Sequence, residues 1–553
     1  PLNIANKIAG IEAKSVYYTT GDIDDFDNIA TTGRIVAVAG SIIAENIEAA
    51  TGTVSASADI TVEKKLSGGR IEAANVEADV ITTVKDDALK ADGKIEITGN
   101  LTVGTSVDAE GAILVGGGID GTEAAIHSDD YIDVVGVITA KNLSADGADE
   151  NGFAIDAGNI TATESITAVN GKVHSDNNIA TGENAVINAQ SLIADDSMTV
   201  GKVTVAEDGT VQAGADIIAT EITQAGTVRA MNGELHVGIN RKPVVHDPST
   251  WYFVGGKINA AGEVVADKTI RAGDVTAKSI QSYHGDLLIG TMTTEFTGND
   301  IVTTGATVDA AGNLVGGNVE ASGSIMVGSI GNAEHYAGAV IAHGTDATDP
   351  ESGRLHAQGD VFAASVMAEK DLTIDGDVTM YRKDEVNAGN ISSRTGKVTI
   401  GNVHMAGSIT AEGDIEIGDL TEITGALVSN TGAVNVASLG NVGGNHDALD
   451  ARQEGFAIWA MDTDQNSGLG FKDGAVINGH IGLGYGADTF SLVNGPTVNG
   501  NVYLGGVEDV NAFDTLLVGD DSAFTGDFDL SRSESADAYG NLRIEGGALN
   551  LNG

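Results

Sequence analysis

Three groups of residues in this 553-residue chain have the types and spacing to do chemistry. The best formed is Asp462-Thr463-Asp464-Gln465-Asn466-Ser467-Gly468, with Asp473 at the twelfth position counted from Asp462. Alternating carboxylate and amide oxygens at that spacing suit Ca2+, a hard cation that gathers oxygen ligands. The run departs from an acidic calcium loop twice, with Ser467 where Gly makes the sharp turn and Asp473 where a bidentate Glu closes the site. Its competing reading is a solvated acidic loop. A second carboxylate cluster, Asp22, Asp24, Asp25 and Asp27, reads as a surface turn or as part of a cap, with Ca2+ again the only cofactor it suggests. Gly482, Gly484, Gly486 and Asp488 have a Gly-x-Gly-x-Asp spacing, but the turns are not tandem, which favours ordinary corner glycines. The third group is basic and aromatic: Arg241 and Lys242, then Trp251, Tyr252 and Phe253. It is expected to protrude and contact a glycan or a neighbouring subunit, or else to fold back as a satellite core.

Enzyme chemistry finds little to work with. No Gly-x-Ser-x-Gly elbow, phosphate-loop Gly-Lys-Ser/Thr or His-Glu-x-x-His is present, and the eleven histidines are scattered singly. Gly116-Gly117-Gly118-Ile119-Asp120-Gly121 has the dinucleotide spacing but is followed by no helical pattern. The nearest carboxylate pairs for sugar cleavage are Asp129-Asp130, beside Tyr131, and Asp195-Asp196, both in turn-like contexts with few aromatics. The chain is therefore expected not to be an enzyme.

The elements that must position these residues are short strands. Gly occurs 75 times, Pro 5 times and aromatics make up 4%, so the apolar share of 42% rests on Ala, Val, Ile and Leu. From Ile42, Ile47, Val54, Ile60 and Val62 through Val203, Val205, Val211 and Ile217 to Val398, Ile400, Val403, Ile409 and Ile415, apolar residues recur at steps of roughly five to seven, with turn residues between. A helical stripe needs steps of three and four and would lose about 1 kcal/mol at each interior Gly. Gly-Lys-Ile/Val corners recur at Gly93, Gly171, Gly201, Gly256 and Gly396, each with its Lys read as a solvated edge residue. Strands with one or two inward side chains cannot build a sandwich, but three per coil of roughly 18 to 24 residues stack into a continuous core. The expected fold is all-β: a long right-handed parallel β-helix, or β-solenoid, with few loop excursions and at most one short helix.

Boundaries follow from breaks in the repeat. Residues 1–33 are expected as a cap or docking segment, 34–440 as solenoid with an excursion at 240–255, and 441–475 as a non-repeat insert. Within the insert Leu449, Arg452, Phe456 and Trp459 have near-helical spacing. Residues 476–553 form further repeats, in which Asn478-Gly479-His480-Ile481-Gly482-Leu483-Gly484 is echoed by Asn499-Gly500-Asn501-Val502-Tyr503-Leu504-Gly505, then by Phe513 to Val518. This pattern resembles bacterial autotransporter passenger domains, and the earlier repeats resemble filamentous-haemagglutinin-type adhesins. The resemblance implies a β-helical protein secreted to the cell surface for adhesion, aggregation or biofilm. No transmembrane β-barrel follows in this chain, a departure from the autotransporter plan.

Charge and composition narrow the partners. The formal charge of −50 repels phosphate backbones and anionic membranes, so nucleic acid is excluded as a partner. No apolar run is long enough to span a bilayer. The absence of cysteine fits export of an unfolded chain, and a start at Pro1 fits removal of a signal peptide. Secretion, self-association into a homopolymer, and contact with surface glycans or neighbouring cells are the expectations. The alternatives are a β-helical polysaccharide lyase or depolymerase and a monomeric glycan-binding adhesin.

Overall fold

The structure is a computed structural model that describes residues 11–13, 17–19, 23–31, 34–83, 88–241, 252–292, 295–344, 352–384, 387–444, 453–460, 463, 465–504, 514–518, 523–524, 528–529 and 542–545. The chain forms two compact units, residues 1–239 with 256–261, and residues 240–255 with 262–553. Each is a parallel β-solenoid, and together they hold about 23 turns. Among the described residues there is no helix, hence none long and apolar enough to cross a membrane.

In the first unit three inward columns run coil over coil. Ile42, Ile60, Val76, Ile95, Ile113, Ile132 and Ile155 make one. Ile47, Leu66, Ile81, Leu101, Ile119, Ile138 and Ile160 make the second. Val54, Ile71, Leu89, Val107, Ile126, Leu143, Ile166, Ile187 and Val203 make the third. All of these are buried. Like stacks on like because the register is parallel, and each buried Ile, Leu or Val contributes about 1.5–3 kcal/mol. Coils closer to 16–19 residues than to 24 are the rule, as in Val76, Ile95, Ile113 and Ile132.

The second unit repeats the plan. Leu287, Ile325, Leu355, Leu372, Val398, Ile415 and Val434 form one column. Ile280, Val319, Val340, Val366, Ile391, Ile409, Leu427 and Ile458 form another. The register continues through the expected insert: Val436 stacks on Leu469, Leu469 on Phe490, and Ile477 on Val498. The segment from Phe456 to Trp459, expected on a helix, is a strand with all four residues buried. Phe456 and Trp459 instead pack with Ala426 and Val428, and Tyr503 covers them. Their spacing of three reflects burial of both strand faces, not a helical stripe. Residues 447–452 of that expectation lie outside the described residues.

Corners are closed by side chains whose role composition does not reveal. An Asn or Asp placed just before a strand accepts the backbone N–H of the equivalent residue one coil on: Asn100 from Gly118 at 2.8 Å, Asn178 from Ser197 at 3.2 Å, Asp216 from Glu234 at 2.8 Å. In the second unit Asp286 accepts from Ser324 at 2.7 Å, Asp371 from Lys397 at 3.1 Å and Asp414 from Ala433 at 2.9 Å. Corners thereby satisfy amides that the strand ladders leave over. Asp414→Ala should cost about 1–3 kcal/mol by orphaning the Ala433 amide, while Asp414→Asn, which keeps the acceptor, should cost much less. Urea midpoints of the two variants decide this, and equal loss in both would remove the clamp.

Two features leave the solenoid in the second unit. Tyr252–Gly255, Leu287–Met292 and Phe296–Gly298 form a small antiparallel sheet. The Gln358 amide donates to the Phe296 carbonyl at 3.0 Å and accepts from the Gly298 N–H at 2.8 Å. One side chain thus occupies the strand edge as a neighbouring strand would, which blunts stray pairing there. Thr307–Val308 and Leu314–Val315 form a separate hairpin, closed by Asp309 accepting from the Ala311 and Asn313 amides.

Candidate functional site

The sequence-derived candidates are dispersed by the fold. Asp462 and Asp464 lie outside the described residues; Asp473 is exposed, and the Asn466 side chain accepts the Ala487 N–H at 2.8 Å as another corner clamp. Asp488 is buried, with Oδ1 accepting the Ser467 N–H at 2.7 Å. Asp24, Asp25 and Asp27 fall in the strand Ile23–Thr31, paired in parallel with Ile42–Ala56, instead of in a turn. Asp22, Lys242 and Trp251 lie outside the described residues. Arg241 ends the strand Leu235–Arg241, whereas Tyr252 and Phe253 belong to the small antiparallel sheet, with Phe253 opposite Met292.

Histidine supplies what the sequence reading missed. Of the nine described histidines, scattered in sequence, six come within 4 Å of a carboxylate: His127, His174, His284, His343, His356 and His404. Two of them share a tripeptide, His127-Ser128-Asp129 and His174-Ser175-Asp176, which was a readable signal. In both, alternation sends His outward and Ser inward at the strand end, with Asp at the corner. The inward hydroxyls are used alike: Ser128 donates to the Gly111 and Tyr131 carbonyls, and Ser175 to those of Gly158 and Asn178. The same two corners yield the groups whose donor atoms converge within 4.8 Å: His127, Asp129 and Asp146, and Asp156, His174 and Asp176.

The two imidazoles differ in what remains available. His127 has both ring nitrogens at hydrogen-bond distance, Nδ1 to the Ser144 hydroxyl at 2.8 Å and Nε2 to Asp129 at 2.9 Å. His174 Nδ1 meets Asp156 at 2.7 Å, but Nε2 lies 3.5 Å from Asp195 Oδ1, one coil further on. The His174 side chain is only 16% exposed, and its ring lies against Phe153 with centroids 5.1 Å apart. The Lys172 ammonium sits over the far ring, 5.6 Å from the Phe153 centroid.

Electrostatics set this corner apart. Burial alone would lower the His174 pKa, but the hydrogen bond and charge of Asp156, then the neighbouring Asp195 carboxylate, outweigh it and hold the imidazole above its ordinary value. Burial pushes Asp133 up, reinforced by the negative charges of Asp156, Asp149 and Asp176. Asp149 runs the other way: burial would raise it, but hydrogen bonds from the Phe153 amide and from Asn151 hold it low. A raised imidazole contributes stability that is fully present below about 6.5 and is lost as pH rises through the folded value. A raised carboxyl has the same sign. With chelator present, the unfolding midpoint of the wild type should therefore fall between pH 6 and pH 8 by more than that of His174→Gln. The carboxylates that act on the ring are Asp156 and Asp195, and an identical pH dependence in both proteins would show that they do not couple to it.

The fold defines the class, an all-β parallel β-solenoid. Compared with protein-family models, with curated proteins and with solved structures, the chain finds no match in any of the three.

Proposed function

We propose that this chain is a secreted, structural or adhesive surface protein of the β-helical adhesin type. Its copies associate into filaments, sheath or matrix and present faces to glycans or neighbouring cells. The observation that carries this reading is the use made of the polar residues. Asp and Asn at corner after corner accept backbone amides from the next coil, so the acidic side chains serve the stacking of coils. Parallel coils present strand edges along their stacking direction, which favours pairing with further copies. The field of 50 net negative charges keeps such a surface soluble and makes association sensitive to salt.

A β-helical glycoside hydrolase uses two carboxylates facing each other across a groove. The open trough over Thr399, Glu416, Asn435, Gly468 and Thr489 has Glu416 as the only acidic residue among those that line it. Asp129 and Asp195, members of the two carboxylate pairs, turn to His127 and His174. Two assays on the purified chain test the reading. The molar mass measured by light scattering should rise with protein concentration, and incubation with acidic and neutral polysaccharides should release no reducing ends. Release of reducing ends without association would overturn it.

A further inference from the structure

We propose that the corner built by Asp156, His174, Asp176 and Asp195 binds one divalent first-row transition ion of the zinc class, tying the coil of His174 to the coil of Asp195. The donor set is an imidazole nitrogen with carboxylate oxygens, the mixture that zinc, cobalt and nickel take and that calcium and magnesium, which want oxygen alone, do not. Register fixes the three levels. Asp156 lies in the strand Phe153–Ser175, His174 and Asp176 follow one coil later, and Asp195 follows the Ala194 that stacks on Ser175.

Geometry separates this corner from its twin. A carboxylate that holds Nδ1–H fixes the ring and aims the Nε2 lone pair, the support that metal-bound histidines receive in known sites. Asp156 stands at that position, 2.7 Å from Nδ1. On the opposite side Nε2 and Asp195 Oδ1 are 3.5 Å apart, long for a hydrogen bond. Two donors about 2.0–2.2 Å from one tetrahedral ion lie about 3.3–3.6 Å from each other, so the gap has the length of one edge of such a site. Donor atoms of Asp156, His174 and Asp176 converge within 4.8 Å at the same corner, and water fills the positions that His174 and Asp195 leave on the ion. His127, engaged at both nitrogens at 2.8 and 2.9 Å, has no lone pair left to offer and serves as the internal control. Asp156 is assigned as a positioning residue, and His174 and Asp195 as ligands.

The test is a titration of the full chain, stripped with chelator, with Zn2+ and Co2+ at pH 7.5 in the presence of millimolar Ca2+ and Mg2+. One Zn2+ site that Ca2+ does not displace should be present in the wild type and in His127→Gln. In His174→Gln and in Asp195→Asn its affinity should fall at least tenfold. Co2+ at the site should give visible absorption in the wild type that His174→Gln abolishes. Far-UV circular dichroism of each variant separates loss of the site from loss of the fold. Zn2+ binding unchanged in His174→Gln, displacement of Zn2+ by equimolar Ca2+, or loss of binding in His127→Gln alone would each overturn the assignment.

Discussion

Replacing Ile187 by Asp is expected to unfold the coils around it and to leave distant coils folded. Ile187 is fully buried, with Ile166 on one side of it in the column and Val203 on the other. The substitution removes about 1.5–3 kcal/mol of apolar burial and places a carboxylate where no partner waits, which costs several kcal/mol more. A total above about 4 kcal/mol is far beyond the usual effect of a single change. Because each coil leans only on its neighbours, the damage should be local. Hydrogen exchange should show lost protection in Ile166, Ile187 and Val203 and retained protection at Ile42 and Ile60. Ile187→Val should cost only about 0.5–1.5 kcal/mol. Undiminished protection in Ile187→Asp would mean that the column is not the core.

The second large effect concerns a corner glycine. A Cβ built on Gly209 would stand 1.9 Å from the Gln190 carbonyl oxygen, and the Gly209 carbonyl itself accepts the Gly226 N–H at 2.7 Å. Coils approach there by backbone alone, so Gly209→Ala must push them apart, at a cost of about 1–3 kcal/mol or more. Gly152 is the contrast: its φ of +82° is left-handed, but nothing lies within 4 Å of its added Cβ. Gly152→Ala should cost about 1–2 kcal/mol of backbone strain without separating any coils. Unfolding midpoints should place Gly209→Ala well below Gly152→Ala, and hydrogen exchange should show opened amides only in the former. The reverse order would contradict the close approach.

Much of the architecture was legible because it is written in apolar residues. Ile42, Ile60 and Val76 recur at the step that stacking demands, and their columns are where that step puts them. The insert was misread because Phe456 and Trp459 are buried on both strand faces, and spacing alone does not distinguish that from one helical face. The site was harder still. A carboxylate at a corner is the same residue whether it accepts an amide from the next coil, as Asp414 does, or turns to an imidazole, as Asp195 does. Contacts across coils join residues a whole coil apart in sequence, such as Asp156 and His174. Only the repeated His-Ser-Asp at 127 and 174 marked the corners in sequence, and it is a local signal whose partners are all non-local.

The central claim, a self-associating β-solenoid of the cell surface, is tested most directly by negative-stain electron microscopy of the purified chain, with and without chelator. Filaments or sheets of uniform width at micromolar protein, sparser as the protein is diluted, are the predicted result. Isolated particles of a single chain at every concentration, with and without chelator, would contradict it.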